Sequence, residues 1–119
     1  MGHDLTITHP EGYELDPVFT KGAKIEHDQA KALENADFVY VKNWSSFNDY
    51  GKILSTDPKW MLTEKHLRNA PDAKVMHCLP VRRNLELSDE ILDGKRSLVQ
   101  KQAENRIYAA QSVISHILG

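Results

Sequence analysis

Residues 74–84 read KVMHCLPVRRN, and this stretch contains the sequence features that most directly predict the fold. Residues 74–78 predict a β-strand, and Pro80 ends it because proline cannot donate a backbone hydrogen bond to a neighbouring strand. Further towards the N-terminus, residues 38–41 (FVYV) are β-branched or aromatic and predict another strand. Polar residues follow both predicted strands directly, which makes the ends of these strands candidate sites.

Strand signals alternate with helix signals along the rest of the chain. Asp16 precedes a proline, Asp28 and Thr63 can each cap a helix, and Ser88 opens a helix that Gly94 closes. The predicted strands are residues 5–8, 24–27, 38–41, 74–78 and 98–99. One short helix is predicted to start after Asp16, three more span residues 28–35, 63–69 and 88–94, and a last helix forms the C-terminus. Residues 43–59 predict a long loop. The pattern predicts an α/β fold, namely a doubly wound, mostly parallel, Rossmann-like sheet in a single incomplete domain.

The C-terminal helix has the clearest periodicity in the sequence. Its apolar residues recur at helical spacing and form one face; they are Ala103, Ile107, Ala110, Ile114, Ile117 and Leu118. In open α/β sheets, ligands bind beyond the carboxyl ends of the strands. The residues after Val41 and after His77 are therefore the places where a site is expected.

The bulk properties of the chain exclude several classes of protein. Its 119 residues, 40% hydrophobic and 27% charged, suffice for one small domain. A net charge of −2, with basic and acidic residues interleaved, argues against a general binder of nucleic-acid backbones. The single cysteine, Cys78, excludes an intrachain disulfide. No apolar run approaches membrane-spanning length and the N-terminus lacks signal-peptide features, so a cytoplasmic location is predicted.

Taken alone, each candidate site residue also has a structural explanation. Cys78 can pack as a small hydrophobic residue at a strand end, and neighbours on a strand point to opposite faces, which argues against a nucleophilic pair with His77. Lys42 and Arg82 can be solvated surface residues, or Arg82 can hold a carboxylate or phosphate through its guanidinium. Arg106, near the start of the last helix, offers the same choice. The six histidines show no metal-ligand spacing.

Together, however, the motifs resemble those of a known family. The sequence is similar to the C-terminal domain of the transcarbamylases, and nearly the whole chain is covered by the similarity. The motifs that carry it are PEGYELDP (10–17), ADFVYVKNW (36–44), HCLP (77–80), SDEILDG (88–94) and AENRIYAAQ (103–111).

The resemblance implies transfer of a carbamoyl group from carbamoyl phosphate to an amine, with no metal or organic cofactor. It implies catalytic contacts at Cys78 and Leu79, whose backbone faces the carbamoyl group and the attacking amine; Cys78 is a contact residue and not a covalent nucleophile. Arg106 resembles the family arginine that helps to hold carbamoyl phosphate. His77 and Pro80 belong to the same implied substrate-binding segment.

The resemblance also indicates the substrate. Aspartate transcarbamylases carry a proline where this chain has Cys78. Ornithine transcarbamylases carry an aspartate at the position of Lys42, followed by a different run from Ser45-Ser46-Phe47, and a histidine at the position of Arg82. Two cations suit a substrate whose α-amine is acylated, because a lysine repels a free ammonium. The pattern is similar to the N-acetylornithine and N-succinylornithine enzymes, and Glu86, where the acetyl-specific enzymes tend to have a lysine, favours succinylornithine.

Only one part of a transcarbamylase is expected in these residues. The resemblance covers the amino-acid-binding domain over 1–119, whereas the N-terminal carbamoyl-phosphate domain has no counterpart here. We therefore predict that the chain alone is inactive, and that the full-length enzyme is a homotrimer acting in arginine biosynthesis. An ornithine-specific domain, or a non-catalytic remnant that binds an amino acid or a partner, are the alternatives.

Overall fold

A computed structural model of the chain describes residues 3–43 and 57–119. The strands are β1 (Thr6–Ile7), β2 (Lys24–Ile25), β3 (Phe38–Val41) and β4 (Lys74–His77). The helices are α1 (Pro17–Thr20), α2 (Gln29–Ala32), α3 (Asp89–Leu92) and α4 (Val99–Leu118), together with a 3-10 helix at Pro58–Trp60. The loop predicted over 43–59 lies mostly outside the described residues.

Two parallel strand pairs form the sheets of the described part of the chain. β1 pairs with β2, and β3 pairs with β4 in a register that places Val39 opposite Val75 and Val41 opposite His77. On the other side of β4, Val75 forms a parallel bridge with Ser97. Parallel neighbours need a crossover connection, and helices or turns fill these connections, as the predicted α/β fold requires.

The core lies on one face of the β3–β4 pair. Val75 is fully buried, and Val39 and Val41 pack against the same buried cluster. The other fully or nearly fully buried apolar residues of this cluster are Leu33, Leu62, Leu67, Ala70, Ala73, Leu87 and Ile91. The alternate residues of β3, Phe38 and Tyr40, are more than half exposed on the opposite face. One face of this sheet is thus packed and the other is largely open in the described residues.

Three of the four helix starts predicted from a capping residue are confirmed. The carboxylate of Asp16 accepts a hydrogen bond from the backbone nitrogen of Val18, and Pro17 is the first residue of α1. Asp28 caps α2 and Ser88 caps α3 in the same way. These side chains satisfy backbone donors that the first turn of a helix leaves without partners.

Two predicted elements are wrong. Residues 64–69 form successive turns and not a helix, because the backbone bonds from His66 to Thr63 and from Leu67 to Glu64 span three residues and not four. Residues 98–99 do not form a strand, since α4 already begins at Val99 and leaves only the bridge at Ser97.

The long helix α4 confirms the predicted C-terminal helix, but its apolar face is largely uncovered in the described residues. Ile107, Ile114, Ile117 and Leu118 are all at least half exposed. The helix touches the sheet near its start, where the side-chain amide of Gln102 donates to the hydroxyl of Tyr40 at 3.3 Å. Within the described ranges, no helix is long and apolar enough to cross a membrane.

Candidate functional site

The register of β3 and β4 brings the two predicted site segments side by side. Because Val41 lies opposite His77, both strands end at the same level. Lys42 and Asn43 continue beyond β3, and residues 78–82 continue beyond β4. The site is therefore built at the carboxyl ends of two neighbouring parallel strands, as the fold class predicts.

His77, the last residue of β4, is 1% exposed and has both ring nitrogens directed at protein groups. Its Nδ1 accepts a hydrogen bond from the backbone nitrogen of Leu79 at 3.0 Å, so a neutral ring carries its proton on Nε2. Nε2 lies 3.9 Å from Oε1 of Glu86. Burial lowers the pKa of His77, Glu86 partly offsets this, and the positive charges of Lys42 and Arg82 lower it further. His77 is thus a neutral residue that fixes the backbone after β4.

Glu86 is a fully buried carboxylate at the centre of this cluster. Its Oε1 accepts hydrogen bonds from the backbone nitrogen of Arg82 at 3.1 Å and from the Nε of Arg82 at 3.3 Å. Its Oε2 lies 3.2 Å from the same Nε. A buried carboxylate is costly unless it is paired, and Arg82 supplies the opposite charge.

Asn43 connects the segment after β3 to this carboxylate. With its amide nitrogen turned towards the acceptors, Asn43 donates to Oε1 of Glu86 at 2.8 Å and to the carbonyl oxygen of Pro80 at 3.2 Å. The same nitrogen lies 3.0 Å from Nε2 of His77. Since Nε2 carries the ring proton, we assign only the two oxygen contacts as hydrogen bonds. Asn43 therefore links both strand ends through Glu86.

The backbone between β4 and Arg82 has an unusual conformation at the residues that carry the predicted catalytic contacts. Leu79 has a φ of +56°, a left-handed conformation that leucine rarely adopts, and the Leu79–Pro80 peptide bond is cis. A non-glycine residue held in the left-handed region occurs preferentially at functional sites. Leu79 and Pro80 are exposed and Cys78 is half-buried. One ring nitrogen of His77 accepts a hydrogen bond from Leu79 and the other is directed at Glu86. His77 therefore cannot act as a base that deprotonates the thiol of Cys78.

Arg83 has a different environment from its neighbour Arg82. Its guanidinium binds Asp93 at 2.8 Å and Asp89 at 2.6 Å on the surface of α3. These contacts lower the pKa values of both aspartates and raise the pKa of Arg83. Asn84 also binds Asp89, which ties the loop to the start of α3. Arg83 thus forms exposed ion pairs that attach the loop to α3.

Arg106 is not where the sequence analysis expected it. Since α4 begins at Val99, Arg106 is the eighth residue of the helix and lies about 10 Å along its axis from the first. The favourable field of a helix N-terminus is limited to the first turn. Arg106 is exposed, and within the described residues it makes no hydrogen bond or ion pair with the cluster around Glu86. The structure thus brings together Lys42, His77 and Arg82, but not Arg106.

Two residues of the cluster were not predicted to lie in it. In the sequence, Glu86 bears only on substrate choice, and position 43 is only the start of the predicted loop. A glutamate between Leu85 and Leu87, four residues after an arginine, is a weak signal of a buried pair. Among the described residues, no group of three or more acidic, cysteine or histidine side chains is arranged to hold a metal ion.

Comparison with known proteins identifies the family. The sequence model described as aspartate/ornithine carbamoyltransferase, Asp/Orn binding domain, matches residues 1–117. An N-succinylornithine carbamoyltransferase from Bacteroides fragilis (strain 638R) is 45% identical over 118 residues, which are 98% of this chain and 37% of that protein. An ornithine carbamoyltransferase from Methanococcus aeolicus is 37% identical over 134 residues, which are 98% of this chain and 44% of that protein.

Solved structures support the same fold. The structure of an acetylornithine transcarbamylase complexed with acetylcitrulline is 24% identical, with a TM-score of 0.85 over 99% of this chain and 41% of that one. A second structure, of N-acetyl-L-ornithine transcarbamylase, gives a TM-score of 0.80 at 24% identity over 95% of this chain and 40% of that one. The chain thus spans well under half the length of these relatives. The chain belongs to the aspartate/ornithine carbamoyltransferase family, and the part of the family that it matches is the Asp/Orn-binding domain.

Proposed function

We propose that residues 1–119 form the amino-acid-binding domain of a carbamoyltransferase that acts on an N-acylornithine, with N-succinylornithine preferred. The observation that carries this proposal is that Lys42 follows the end of β3 and Arg82 follows β4, where Val41 lies opposite His77 and both positive charges lower the pKa of that buried histidine. Two cations beside one buried carboxylate, Glu86, leave a net positive site. Such a site suits a ligand whose charges near it are carboxylates.

The proposed reaction is attack by the neutral side-chain amine of the substrate on the carbamoyl carbon of carbamoyl phosphate. A carbon–nitrogen bond forms and the carbon–oxygen bond to phosphate breaks. Inorganic phosphate leaves with the bonding electrons and takes up the proton that the amine gives up. Backbone carbonyls at Cys78 and Leu79 would accept hydrogen bonds from the reacting NH groups. Rate acceleration then comes from positioning and from fixed dipoles, so this chain needs no covalent nucleophile.

Acylation of the α-amine is the feature that Lys42 favours. Ornithine carries a positive α-ammonium group, which a nearby lysine repels. In an N-acylornithine this nitrogen is a neutral amide, and only carboxylates remain to interact with Lys42 and Arg82. N-succinylornithine has two carboxylates, one for each cation.

The relatives also support a preference for N-succinylornithine over ornithine, because the N-succinylornithine enzymes align with this chain with fewer gaps. The N-succinylornithine relatives from two Bacteroides species align over 118 residues at 45% and 44% identity. The ornithine relative from Methanococcus aeolicus needs 134 alignment positions, which exceeds the 119 residues of this chain and leaves at least 15 gaps in it. Ornithine itself is the second candidate substrate, because the ornithine relatives are still 35–37% identical.

The remaining properties of the whole protein follow from this assignment. We propose that the carbamoyl-phosphate half of the site, to which Arg106 contributes, is completed by a domain not contained in these 119 residues. The whole enzyme would be a cytoplasmic homotrimer of arginine biosynthesis. By itself the chain would then bind an acylornithine weakly and catalyse nothing.

A chimeric enzyme tests the proposal. The matched 118-residue segment of the Bacteroides fragilis N-succinylornithine carbamoyltransferase is replaced by this chain, and turnover of carbamoyl phosphate is measured with N-succinylornithine, N-acetylornithine and ornithine. We expect carbamoylation of N-succinylornithine by the chimera and none by the isolated 119 residues. Preference of a folded chimera for ornithine would contradict the substrate assignment. Turnover by the isolated chain would contradict the proposal that these residues supply only half of the active site.

A further inference from the structure

We propose that Glu86 is a positioning residue, which orients Arg82 so that its Nη1 forms a binding site for a carboxylate of the substrate. This inference rests on the proposed function for the identity of the ligand. It deepens that function, because it names the residue that makes a surface arginine into a specific carboxylate subsite.

The first step is the way in which Glu86 holds the guanidinium. The carboxylate engages only Nε and the backbone nitrogen of Arg82. Within residues 3–43 and 57–119, neither terminal nitrogen of Arg82 has a hydrogen-bond partner, and Nη2 is enclosed by protein. With Nε held by Glu86 and Nη2 enclosed, Nη1 is the terminal nitrogen that remains for a contact with a substrate carboxylate.

The neighbouring arginine provides an internal comparison. Arg83 uses Nη1 and Nη2 for Asp89 and Asp93, so its terminal nitrogens are already occupied. Both arginines follow the same strand and carry the same charge. In Arg82, by contrast, Glu86 engages Nε and leaves Nη1 without a partner within the described residues, which distinguishes a binding arginine from a structural one.

The second step is the cost of burying Glu86. A fully buried ion pair seldom adds stability, since an apolar pair of similar size is often as good or better. Glu86 nevertheless lies fully buried between Leu85 and Leu87, at a position where an apolar side chain could pack. A role in orienting Arg82 explains why a charge is placed there, as outer-sphere partners orient ligand-binding side chains elsewhere.

The third step is the link to the other strand. Through the amide of Asn43, Glu86 also contacts the segment that begins with Lys42, and the same amide holds the carbonyl of Pro80. One buried carboxylate thus contacts Arg82 directly and, through Asn43, connects the segments that follow β3 and β4. Loss of its charge should weaken substrate binding more than turnover, because Glu86 does not touch the reacting atoms.

Kinetics of the chimera and nuclear magnetic resonance of the isolated chain test this together. In the chimera, we expect Glu86→Gln to raise KM for N-succinylornithine about tenfold while kcat changes less than about threefold, since orientation of a binding group is lost. Glu86→Asp should recover part of the loss. Asp89→Asn, which removes a surface partner of Arg83, is the matched control and should leave KM unchanged.

The dependence on Arg82 separates positioning from a general structural effect. If Glu86 acts through Arg82, the Glu86→Gln change adds nothing further to the KM of an Arg82→Ala chimera. An equal tenfold effect in that background would overturn the inference. Should Glu86→Gln fail to fold, Arg82→Lys breaks the same contact from the other side, because lysine keeps the charge and lacks Nε. An unchanged KM in Arg82→Lys would likewise overturn it.

The resonance experiment keeps the inference apart from the substrate assignment. In the isolated chain, the Nε–H signal of Arg82 should exchange slowly with solvent and become fast in Glu86→Gln, with no ligand present. A chimera that is inactive on every acylornithine would refute the proposed function, and this signal would still decide whether Glu86 holds Arg82. Rapid exchange in the unmodified chain would refute the positioning role.

Discussion

The Nε of Arg82 lies 3.2 Å from Oε2 of Glu86, and the two side chains differ sharply in exposure: 29% for Arg82 and 0% for Glu86. The pair therefore joins a carboxylate that is buried away from solvent to a guanidinium that is still partly exposed to solvent. In such a pair, the buried member depends on the exposed one, because removal of the cation leaves an uncompensated charge in the core.

Removal of Arg82 should destabilise the fold. We expect Arg82→Ala to lower the free energy of unfolding by about 2–3 kcal/mol, since the buried carboxylate loses its charged hydrogen-bond partner. Urea unfolding of the isolated chain measures this loss. Arg83→Ala is the matched control: it removes an exposed ion pair at α3, which is expected to cost less because solvent screens it. Equal losses in the two variants would show that burial of Glu86 does not decide the effect.

Acidification should destabilise the protein through His77. Its folded-state pKa lies below the ordinary value of 6.5, so below that pH the unfolded chain takes up a proton before the folded chain does. The stability that this histidine contributes is fully present above about pH 6.5 and is lost as the pH falls towards the folded-state pKa, with a slope of at most about 1.4 kcal/mol per pH unit. Unfolding free energies measured between pH 5 and 8 test this.

The control for this pH dependence is His77→Gln, which keeps a polar side chain but does not titrate. The variant should show a shallower loss of stability below pH 6.5 than the unmodified chain. A remaining slope is expected from His66, whose pKa burial also lowers. If the unfolding free energies of the variant and of the unmodified chain fall equally with pH, the pKa of His77 is not lowered by folding.

Where the sequence predicted an element well, a local physical signal was decisive. β3 has the predicted bounds, because four β-branched or aromatic residues follow each other between polar neighbours. α1, α2 and α3 start where Asp16, Asp28 and Ser88 accept backbone hydrogen bonds. The segment after Thr63 carried a similar capping signal, but His66 bonds Thr63 itself and the chain turns with a three-residue spacing. Local signals could not distinguish these outcomes.

The site was predictable in position but not in its internal contacts. Lys42 and His77 follow from the rule that parallel strands place their carboxyl ends together. The role of Glu86 depends on its distance to Arg82, to Asn43 and to His77, which only the folded chain fixes. The position of Arg106 within its helix was predicted wrongly, since α4 begins at Val99, two residues after the bridge between Val75 and Ser97, and not just before Arg106.

Core and helix-surface residues should respond differently to truncation. Leu87 is fully buried, so Leu87→Ala is expected to cost about 2–4 kcal/mol through lost packing and a residual cavity. Ile117 on α4 is 74% exposed, and Ile117→Ala should change stability by no more than about 0.5 kcal/mol. Urea midpoints of the two variants provide the comparison. A large loss for Ile117→Ala would mean that this face is covered in solution.

The charge at position 42 should set which amine donor is used. In the chimera, Lys42→Asp is expected to shift the ratio of kcat/KM for ornithine over N-succinylornithine by about tenfold or more towards ornithine. The reason is electrostatic, because an aspartate attracts the free α-ammonium of ornithine and repels the extra carboxylate of the acylated substrate. Lys101→Asp, at an exposed position of α4, makes the same charge change outside the cluster and should leave the ratio unaltered. If both variants keep the original preference, the charge of Lys42 does not select the substrate. A shift of equal size in both would instead assign the effect to the net charge of the domain.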